Sequence, residues 1–464
     1  MVAALVTTLL LLAAGRAAWA LAAPSDCPLA IERWALSFGL GAGITALAVF
    51  DLSLAGVGTS PWTVISAAGL PVAALAVRKR RARQAAGTPF RIASLSGAWL
   101  LLPILPAALL LLVHAVAFPV GAAFPWAEWD AFSIWLYKGK VMLEHPVRWS
   151  PYFHDVTKGY SHLDYPLLVP SIAASVWSFA GGAQEPAARA VLSLFYAGLL
   201  GVIYAASRTW LAPLVALWIV WLVGAAPTLL THAGAGTADV PFAFFVACAA
   251  LSLLRWAHGG RLPRLVHAAL FTAFALFTKQ EGIAFALSMG AGLLVVALAR
   301  RGRQDLAGAA LFVALLALAA GPWIAFRSGL PHIHMDYGGR ISLPLVLENH
   351  SRVGTVLSEV ARLFIDFSGW GPVWPALLTS AVLGLIWKRD RGVGAVAIVL
   401  VAQSAAYLFV FVISKWPPSR LLPVTLPRLA IHVLPMVAML GSPWLAHAAR
   451  RGRTLVSRAG GLLP

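Results

Sequence analysis

Apolar runs of about 20 residues recur along this chain, and they constrain its fold more than any other sequence feature. A helix of that length crosses the hydrocarbon core of a bilayer, which is about 30 Å thick. Hydrophobic residues make up 60% of the 464 and charged residues only 11%, whereas about a quarter of a soluble domain is charged. These figures exclude a soluble enzyme, a disordered chain and a disulfide scaffold. The sequence predicts an all-α, polytopic membrane protein.

Basic residues cluster between the apolar runs, and they indicate the orientation of the chain. The sequence has 35 Lys and Arg against 17 Asp and Glu, a formal net charge of +18. Short cytoplasmic loops carry such an excess, so we attribute it to topology and expect no nucleic-acid partner. The clusters expected inside are 78–83, 255–264, 300–303, 388–391 and 450–453. About 13 spans are predicted, at 1–23, 35–56, 61–77, 92–118, 188–206, 210–230, 238–256, 264–278, 282–299, 306–326, 371–387, 393–413 and 428–448.

Two apolar segments require a separate interpretation. Counting 166–181 as a span would place a basic cluster outside, and the segment is short, so we expect an interfacial or re-entrant helix on the outer face. Residues 1–23 lack a basic start and Arg16 interrupts them, so a retained helix is favoured over a signal peptide. Cys27 and Cys248 lack a metal-binding spacing and are interpreted as structural.

The predicted topology divides the chain into three regions. These are N-terminal helices at 1–91, a core at 92–300 with a long outer loop at 119–165, and C-terminal helices at 301–464 with an outer loop at 327–370. The inner face has only short basic turns. Any chemistry is therefore expected on the outer face.

Acidic residues concentrate in the first outer loop. Residues 121–165 contain five of the 17 acids, more than a connecting loop needs. The segment 126–138 has helical spacing, with Asp130, Ser133, Ile134 and Tyr137 on one face and aromatic residues suited to the headgroup level. This predicts the Asp130 carboxylate close to the membrane surface, where a lipid-borne substrate presents its phosphate. A solvated interfacial helix is the alternative. The five acids are Glu128, Asp130, Glu144, Asp155 and Asp164.

Three shorter motifs on the outer side also carry polar groups. His162 and Asp164 precede Pro166, and because the residue before a proline is extended, we expect the two side chains to point the same way. Asp239 opens a helix, where the helix dipole alone favours an acid. Lys279 lies in a tight outer turn, where it can pair with a phosphate as a point charge or with Glu281. A purely structural role stays open for each motif.

The order of these motifs resembles the multi-pass glycosyltransferases of the GT-C superfamily, such as protein mannosyltransferases and lipid A aminoarabinose transferases. Asp130 in Glu128-Trp129-Asp130 matches the family's catalytic Asp in the first outer loop. His162-Leu163-Asp164-Tyr165-Pro166-Leu167-Leu168 resembles the Pro-Leu segment that follows. Asp239 in Ala238-Asp239-Val240-Pro241 is similar to the later Asp at a helix start. Lys279 matches the Lys that contacts the lipid phosphate.

The resemblance implies inverting transfer of a sugar, a hexose or a pentose, from a polyprenyl-phosphate donor. Asp130 would be the general base, with Lys279 at the donor phosphate. Arg428, which opens the last predicted helix, is a candidate second cation or an interface anchor. The chain departs from the family where Trp129 separates two acids and where Tyr165 replaces a proline. Residues expected on the acceptor side are Glu128, His162, Asp164, Asp239 and Glu281.

Partners and rival functions follow from the same features. The expected partners are membrane lipids, the polyprenyl-linked donor and a lipid, glycan or protein acceptor, at the outer side of a bacterial inner membrane. No cofactor is certain and a divalent cation stays open, although His332-Ile333-His334-Met335-Asp336 resembles a metal site without supplying a full set of ligands at defined spacing. The alternatives are a transporter or flippase for a lipid-linked sugar or anion, and a polysaccharide polymerase or ligase. The polymerase would use the outer-loop arginines Arg340, Arg352, Arg362 and Arg420.

Overall fold

The computed structural model describes residues 1–22, 29–82, 128–332, 338–387 and 390–460. Within these ranges the regular elements are helices and no strand occurs, which confirms the predicted all-α fold. The predicted span 92–118, residues 119–127 of the outer loop, Cys27, His334 and Asp336 lie outside the described residues. The α-helices are α1 (Val2–Ala22), α2 (Ala30–Leu54), α3 (Pro61–Ala82), α4 (Leu136–Glu144), α5 (Leu168–Ala180), α6 (Glu185–Leu192), α7 (Leu194–Ser207), α8 (Pro213–Gly224), α9 (Pro227–Gly234), α10 (Asp239–Gly259), α11 (Leu262–Thr278), α12 (Glu281–Arg300), α13 (Arg303–Ser328), α14 (Leu343–Glu348), α15 (Arg352–Phe364), α16 (Phe367–Trp370), α17 (Val373–Trp387), α18 (Arg391–Ile413) and α19 (Pro418–Gly460).

Many of these helices are long and apolar enough to cross a membrane. In the described part of the chain nine pass that test, and α8 with α9 would make a tenth span if the bent pair counts as one. The protein is therefore an integral membrane protein. Helices α11 and α17 coincide with the predicted spans 264–278 and 371–387, but at 17 and 15 residues they fall short of the roughly 20 residues of a typical span. The predicted total of about 13 membrane spans stays a prediction.

A break between α8 and α9 interrupts the predicted span 210–230. Pro227 is the first residue of α9, and Ala226 before it is extended, with ψ 121°. A proline lacks the amide that would continue the helix, and it disfavours helical geometry in the residue before it. The two helices consequently meet at 72°, and α9 leads directly to the start of α10.

Helix α10 lies at the centre of the protein. In its most apolar stretch of 18 residues, 94% of the residues are buried. Phe244 packs edge-on to Phe195 of α7 at 5.5 Å between ring centroids, and Phe245 packs against Phe274 of α11 at 5.6 Å. Such pairs add about 0.5–1.5 kcal/mol beyond the apolar area that they bury. This rigid packing fixes the position of Asp239, the first residue of the helix.

Helix α5 covers the segment 166–181, which the sequence predicts to rest on the outer face. The helix forms at 168–180, but its residues from Leu168 to Trp177 are all buried. It packs against α1, α2 and α4. The predicted interfacial placement on a surface is wrong, because residues on every side of this helix are covered by protein, whereas a short re-entrant helix stays a prediction.

A buried ion-pair cluster joins helices at the predicted inner side. Glu32 of α2 is fully buried and lies 3.1 Å from both Arg255 of α10 and Arg264 of α11. The Arg264 guanidinium also lies over the Trp19 ring of α1 at 5.8 Å. The cluster therefore links four helices at the end opposite the loops that are predicted to lie outside.

Candidate active site

Five charged side chains from four segments of the chain form one row of ion pairs. Arg428 lies between Asp130 and Asp239, with Nη1 2.5 Å from Asp130 Oδ2 and Nη2 3.0 Å from Asp239 Oδ2. Lys279 lies between Asp239 and Glu281, with Nζ 2.7 Å from Asp239 Oδ1 and 3.1 Å from Glu281 Oε1. Each cation is thus held between two carboxylates. We call these residues the ion-pair row; all five are among the predicted site residues.

Exposure differs between the middle of the row and its ends. The Asp239 side chain is 0% exposed and Lys279 6%, whereas Asp130 is 26% and Glu281 27% exposed. Arg428 is intermediate at 19%. The row therefore presents a carboxylate to solvent at each end and encloses Asp239 between the cations.

Asp239 is the anchor of the row. As the first residue of α10 it lies where the helix dipole favours a negative charge. Its Oδ2 accepts from Nε of Arg428 at 3.1 Å as well as from Nη2, and its Oδ1 accepts from Lys279 and lies 3.1 Å from His432 Nε2. A buried carboxylate with these partners is compensated in charge and in hydrogen bonds, as burial requires.

The backbone after Asp130 departs from the predicted regular helix. Residues Ala131–Trp135 form a π-helical turn that leads into α4. A π turn adds a residue to the helical repeat, and such turns recur at functional sites. The proposed common face of Asp130, Ser133 and Tyr137 is therefore not that of a regular α-helix. Ser133 Oγ is instead 2.5 Å from the Trp129 carbonyl.

Lys279 is set by a tight turn between α11 and α12. It is the extended residue after α11, with φ −145° and ψ 157°. A Cβ on Gly282 would lie 2.3 Å from Cα of Leu276, so the close return of the chain requires glycine there. The turn points the Lys279 ammonium at Asp239.

His432 and Tyr407 extend the row into the protein, and the sequence interpretation assigned neither of them to the site. His432 is 1% exposed, and its Nδ1 lies 3.0 Å from Tyr407 Oη of α18. Since Asp239 is an acceptor at Nε2, that nitrogen carries the proton and Tyr407 donates to Nδ1. The signal in the sequence was the spacing of Arg428 and His432, which places both on one face of α19.

Glu128 lies beside Asp130 on the acceptor side predicted from the sequence. Its Oε1 is 3.5 Å from Nδ1 of His232, near the end of α9. His232 is 9% exposed, and its Nδ1 has no hydrogen-bond partner among the described residues. The pair borders the row at the Asp130 end without joining it.

Asp164 lies close to the other end of the row. Its Oδ2 accepts from Gln280 Nε2 at 2.6 Å and from Arg327 Nη2 at 3.1 Å, and it lies 3.1 Å from His332 Nδ1. Gln280 is the neighbour of Lys279, so Asp164 supports the turn of the phosphate-binding candidate. The contacts with Arg327 and His332 also join the two predicted outer loops.

His162 does not point the same way as Asp164. It has a left-handed backbone with φ 52°, and the Tyr165 amide donates to its carbonyl at 2.9 Å. Lys138 Nζ donates to the carbonyls of His162 and Tyr165. The predicted extended segment is wrong, because a turn held by the buried lysine reverses the chain there. Burial lowers the pKa of Lys138 to about 7, and Asp164 partly offsets that effect.

Metal ligands are not grouped in the described part of the chain, where no set of three or more His, Cys, Asp and Glu has the geometry to hold an ion. The oxygens of Asp239 accept from four nitrogens. The row therefore suits an anion, which would accept hydrogen bonds from the N–H groups of Lys279 and Arg428 that the carboxylates leave over.

No family model and no curated protein matches the chain. Two solved structures of ArnT from Cupriavidus metallidurans are similar to it. The apo structure has a TM-score of 0.48 and 20% identity over 76% of this chain, and the structure bound to undecaprenyl phosphate has 0.47 and 19% over 77%. The chain spans 62% of the length of each ArnT chain. ArnT is a lipid A aminoarabinose transferase of the GT-C superfamily.

Proposed function

We propose that the protein is a glycosyltransferase that moves a sugar from a polyprenyl-phosphate-linked donor to an acceptor hydroxyl at the outer face of the membrane, with inversion. The observation that carries this proposal is the contact between Asp130 and Arg428 at 2.5 Å. It puts an accessible carboxylate beside a cation that is linked through Asp239 to a second cation. A base for the acceptor and two cations for a phosphate therefore lie side by side.

Asp130 is the proposed general base. It would take the proton of the acceptor hydroxyl while that oxygen bonds to the anomeric carbon and the bond from this carbon to the phosphate oxygen breaks. The electron pair of the broken bond stays on the phosphate, so the donor diester becomes a monoester with one more negative charge. A positioned base contributes about 10²–10⁴-fold to such a rate.

Lys279 and Arg428 are the proposed phosphate ligands. An ammonium has three N–H donors and a guanidinium five. Among the described contacts, Lys279 uses two of its donors, on Asp239 and Glu281. Arg428 uses three, one on Asp130 and two on Asp239. Both cations keep N–H groups for a phosphate, which can enter without breaking the row.

The acceptor assignments are revised in part by the burial of the residues. Asp239 is fully buried between the cations, so we propose that it positions them rather than contacting the acceptor. Glu128 stays our candidate acceptor contact because it borders Asp130. His162, Asp164 and Glu281 stay predictions as acceptor residues, and none of them contacts Asp130 in the described ion pairs.

The contacts of the outer-loop arginines favour transfer over polymerisation. Arg340 Nε donates to the Ile413 carbonyl at 2.8 Å, and Arg352 Nη1 donates to the Ser414 carbonyl at 2.6 Å. These bonds complete the C-terminal end of α18, where carbonyls lack helical partners. Two of the arginines on which a polymerase would depend thus have a structural task.

The test uses membranes from cells that produce the protein, supplied with polyprenyl phosphates that carry radiolabelled hexoses or pentoses. Asp130→Asn should abolish label transfer and release of polyprenyl phosphate at unchanged protein abundance. Glu144→Gln is the matched control, because Glu144 lies in the same loop, is 52% exposed and, among the described ion pairs, takes part only in that with Lys140 at 3.9 Å. Normal turnover by the Asp130 variant would contradict the mechanism. Movement of intact donor across the membrane without release of phosphate would favour the flippase alternative.

A further inference from the structure

Arg428 connects the proposed base to the proposed phosphate site. Its Nη1 contacts Asp130, while Nε and Nη2 both bind Asp239 Oδ2. The guanidinium is thus fixed on one edge by a buried carboxylate. Its contact on the other edge is with a carboxylate that is 26% exposed. One end of this cation can change partner while the other end stays anchored.

The charge on the two groups that flank Arg428 changes in opposite directions during the proposed reaction. Asp130 begins as an anion and becomes neutral when it takes the acceptor proton. The donor phosphate begins with one negative charge and ends, as the leaving monoester, with two. The attraction between Asp130 and Arg428 falls at the step at which the phosphate gains attraction for a cation.

Resting on the proposed function, we propose that Arg428 is handed from Asp130 to the leaving phosphate when Asp130 is protonated. The Nη1 group leaves the neutral carboxyl and donates to the phosphate oxygen that receives the electron pair. Asp239 keeps Nε and Nη2 in place, so the transfer needs only a small shift of one edge of the guanidinium. Proton removal from the acceptor and stabilisation of the leaving group are coupled through this one side chain.

Lys279 differs from Arg428 in this respect. Its two carboxylate partners are Asp239 and Glu281, and neither takes the proton in the proposed reaction. The attraction of Lys279 for the phosphate therefore grows only through the added charge of the phosphate, whereas Arg428 in addition loses the competing attraction of a charged Asp130. The coupling belongs to the Asp130 end of the row.

The inference is tested with binding alone, so no acceptor is needed. Asp130→Asn mimics the protonated carboxyl in shape and charge. Purified wild-type and variant proteins in nanodiscs are titrated with undecaprenyl phosphate, and binding is followed by tryptophan fluorescence. The variant should bind about tenfold or more tightly, the scale of one charge-assisted hydrogen bond. Combined with Arg428→Gln, the substitution should no longer increase affinity. Asp130→Ser provides a second neutral variant if the Asn protein does not fold.

Three controls separate the hand-off from other effects. Glu185→Gln removes another carboxylate that pairs with an arginine, since Glu185 lies 3.5 Å from Arg189 and forms no ion pair with Arg428 among the described residues. If this variant gained as much affinity for undecaprenyl phosphate as Asp130→Asn, the effect would be one of general charge and the inference would be overturned. Undecaprenol, which lacks the phosphate, should bind both proteins equally, and inorganic phosphate reports the headgroup without the lipid.

The possible results distinguish the inference from the proposed function. If folded wild-type protein and all variants fail to bind undecaprenyl phosphate, the donor class in the proposed function is wrong. If wild type binds but Asp130→Asn binds equally or more weakly, the hand-off is wrong and the donor class stands. A gain that persists with Arg428→Gln would also overturn the hand-off, because another group would then receive the phosphate.

Discussion

Replacing Asp239 and Lys279 singly and together tests whether the buried part of the ion-pair row is held by mutual compensation. At 2.7 Å between Lys279 Nζ and Asp239 Oδ1, the Coulomb attraction is about 6 kcal/mol for an effective dielectric constant of about 20. Removing one partner of a buried pair costs about 3–5 kcal/mol after relaxation. Asp239→Asn should lower the free energy of unfolding by an amount in that range, because it leaves Glu281 as the one carboxylate partner of Lys279 and Asp130 as that of Arg428 in the row.

Lys279→Met should cost less than Asp239→Asn. The carboxylate keeps both bonds from Arg428 and its contact with His432, so about 1.5–3 kcal/mol, the value of one hydrogen bond to a charged group, is expected. In the double variant the ammonium and the carboxylate of this pair are both removed, so neither charge is left buried without the other. Its cost should therefore fall short of the sum of the single costs by about 1–3 kcal/mol, the range of coupling between contacting residues.

The assay is reversible unfolding of purified protein in mixed micelles of increasing SDS fraction, with the free energy of unfolding taken from each transition. Arg362→Gln is the control, because Arg362 is 74% exposed and within the described part of the chain pairs only with Glu359; an exposed pair contributes about 0–1 kcal/mol. Strict additivity of the Asp239 and Lys279 effects would refute mutual compensation. A larger loss for Lys279→Met than for Asp239→Asn would refute Asp239 as the anchor.

Three further predictions concern parts of the chain outside the row. Burial lowers the pKa of Lys138 from 10.5 to about 7. Between these pH values the unfolded chain binds a proton that the folded protein lacks, so the free energy of unfolding rises with pH. Lys138→Met should remove this dependence, a slope of up to about 1.4 kcal/mol per pH unit, measured by SDS unfolding from pH 7 to 9. Glu32→Gln should cost about 3–5 kcal/mol by stranding two arginines while leaving the affinity for undecaprenyl phosphate unchanged, and a large loss of affinity would contradict an inner, structural role. Cysteines replacing Tyr160 and Leu262, which are 46% and 54% exposed, should react with impermeant maleimide from outside and from inside respectively, and the reverse pattern would invert the topology.

Hydropathy and helix-end chemistry were enough to predict much of the fold, because both act locally along the chain. The bounds of α1 and α18 lie close to the predicted spans 1–23 and 393–413, since long apolar runs leave helices as the only hydrogen-bonded solution in a bilayer. The burial of α5 could not be read from its own residues. An apolar helix of 13 residues is equally compatible with a membrane surface and with a protein interior, and neighbouring helices decide between them.

The candidate site was predictable in its members but not in its connections. Asp130 and Lys279 stand out because polar residues in a mostly apolar chain are few and cluster on one predicted side. The contact of Asp239 with Arg428 joins residues 189 positions apart, and no spacing rule relates such distant positions. The π turn after Asp130 was also missed, because its residues, Ala131–Trp135, have the same composition as a regular amphipathic helix.

The alternation of charge explains how two cations stay close together in a protein that is mostly apolar. Lys279 and Arg428 would repel each other strongly at low dielectric, but Asp239 between them contacts both. The same carboxylate limits how tightly the pair can hold a phosphate, because it occupies part of their hydrogen-bonding capacity. In the proposed function, a site without Asp239 would bind the phosphate product more tightly if it folded, and would release it more slowly. We therefore propose that the buried acid both stabilises the empty site and favours release of a doubly charged lipid product.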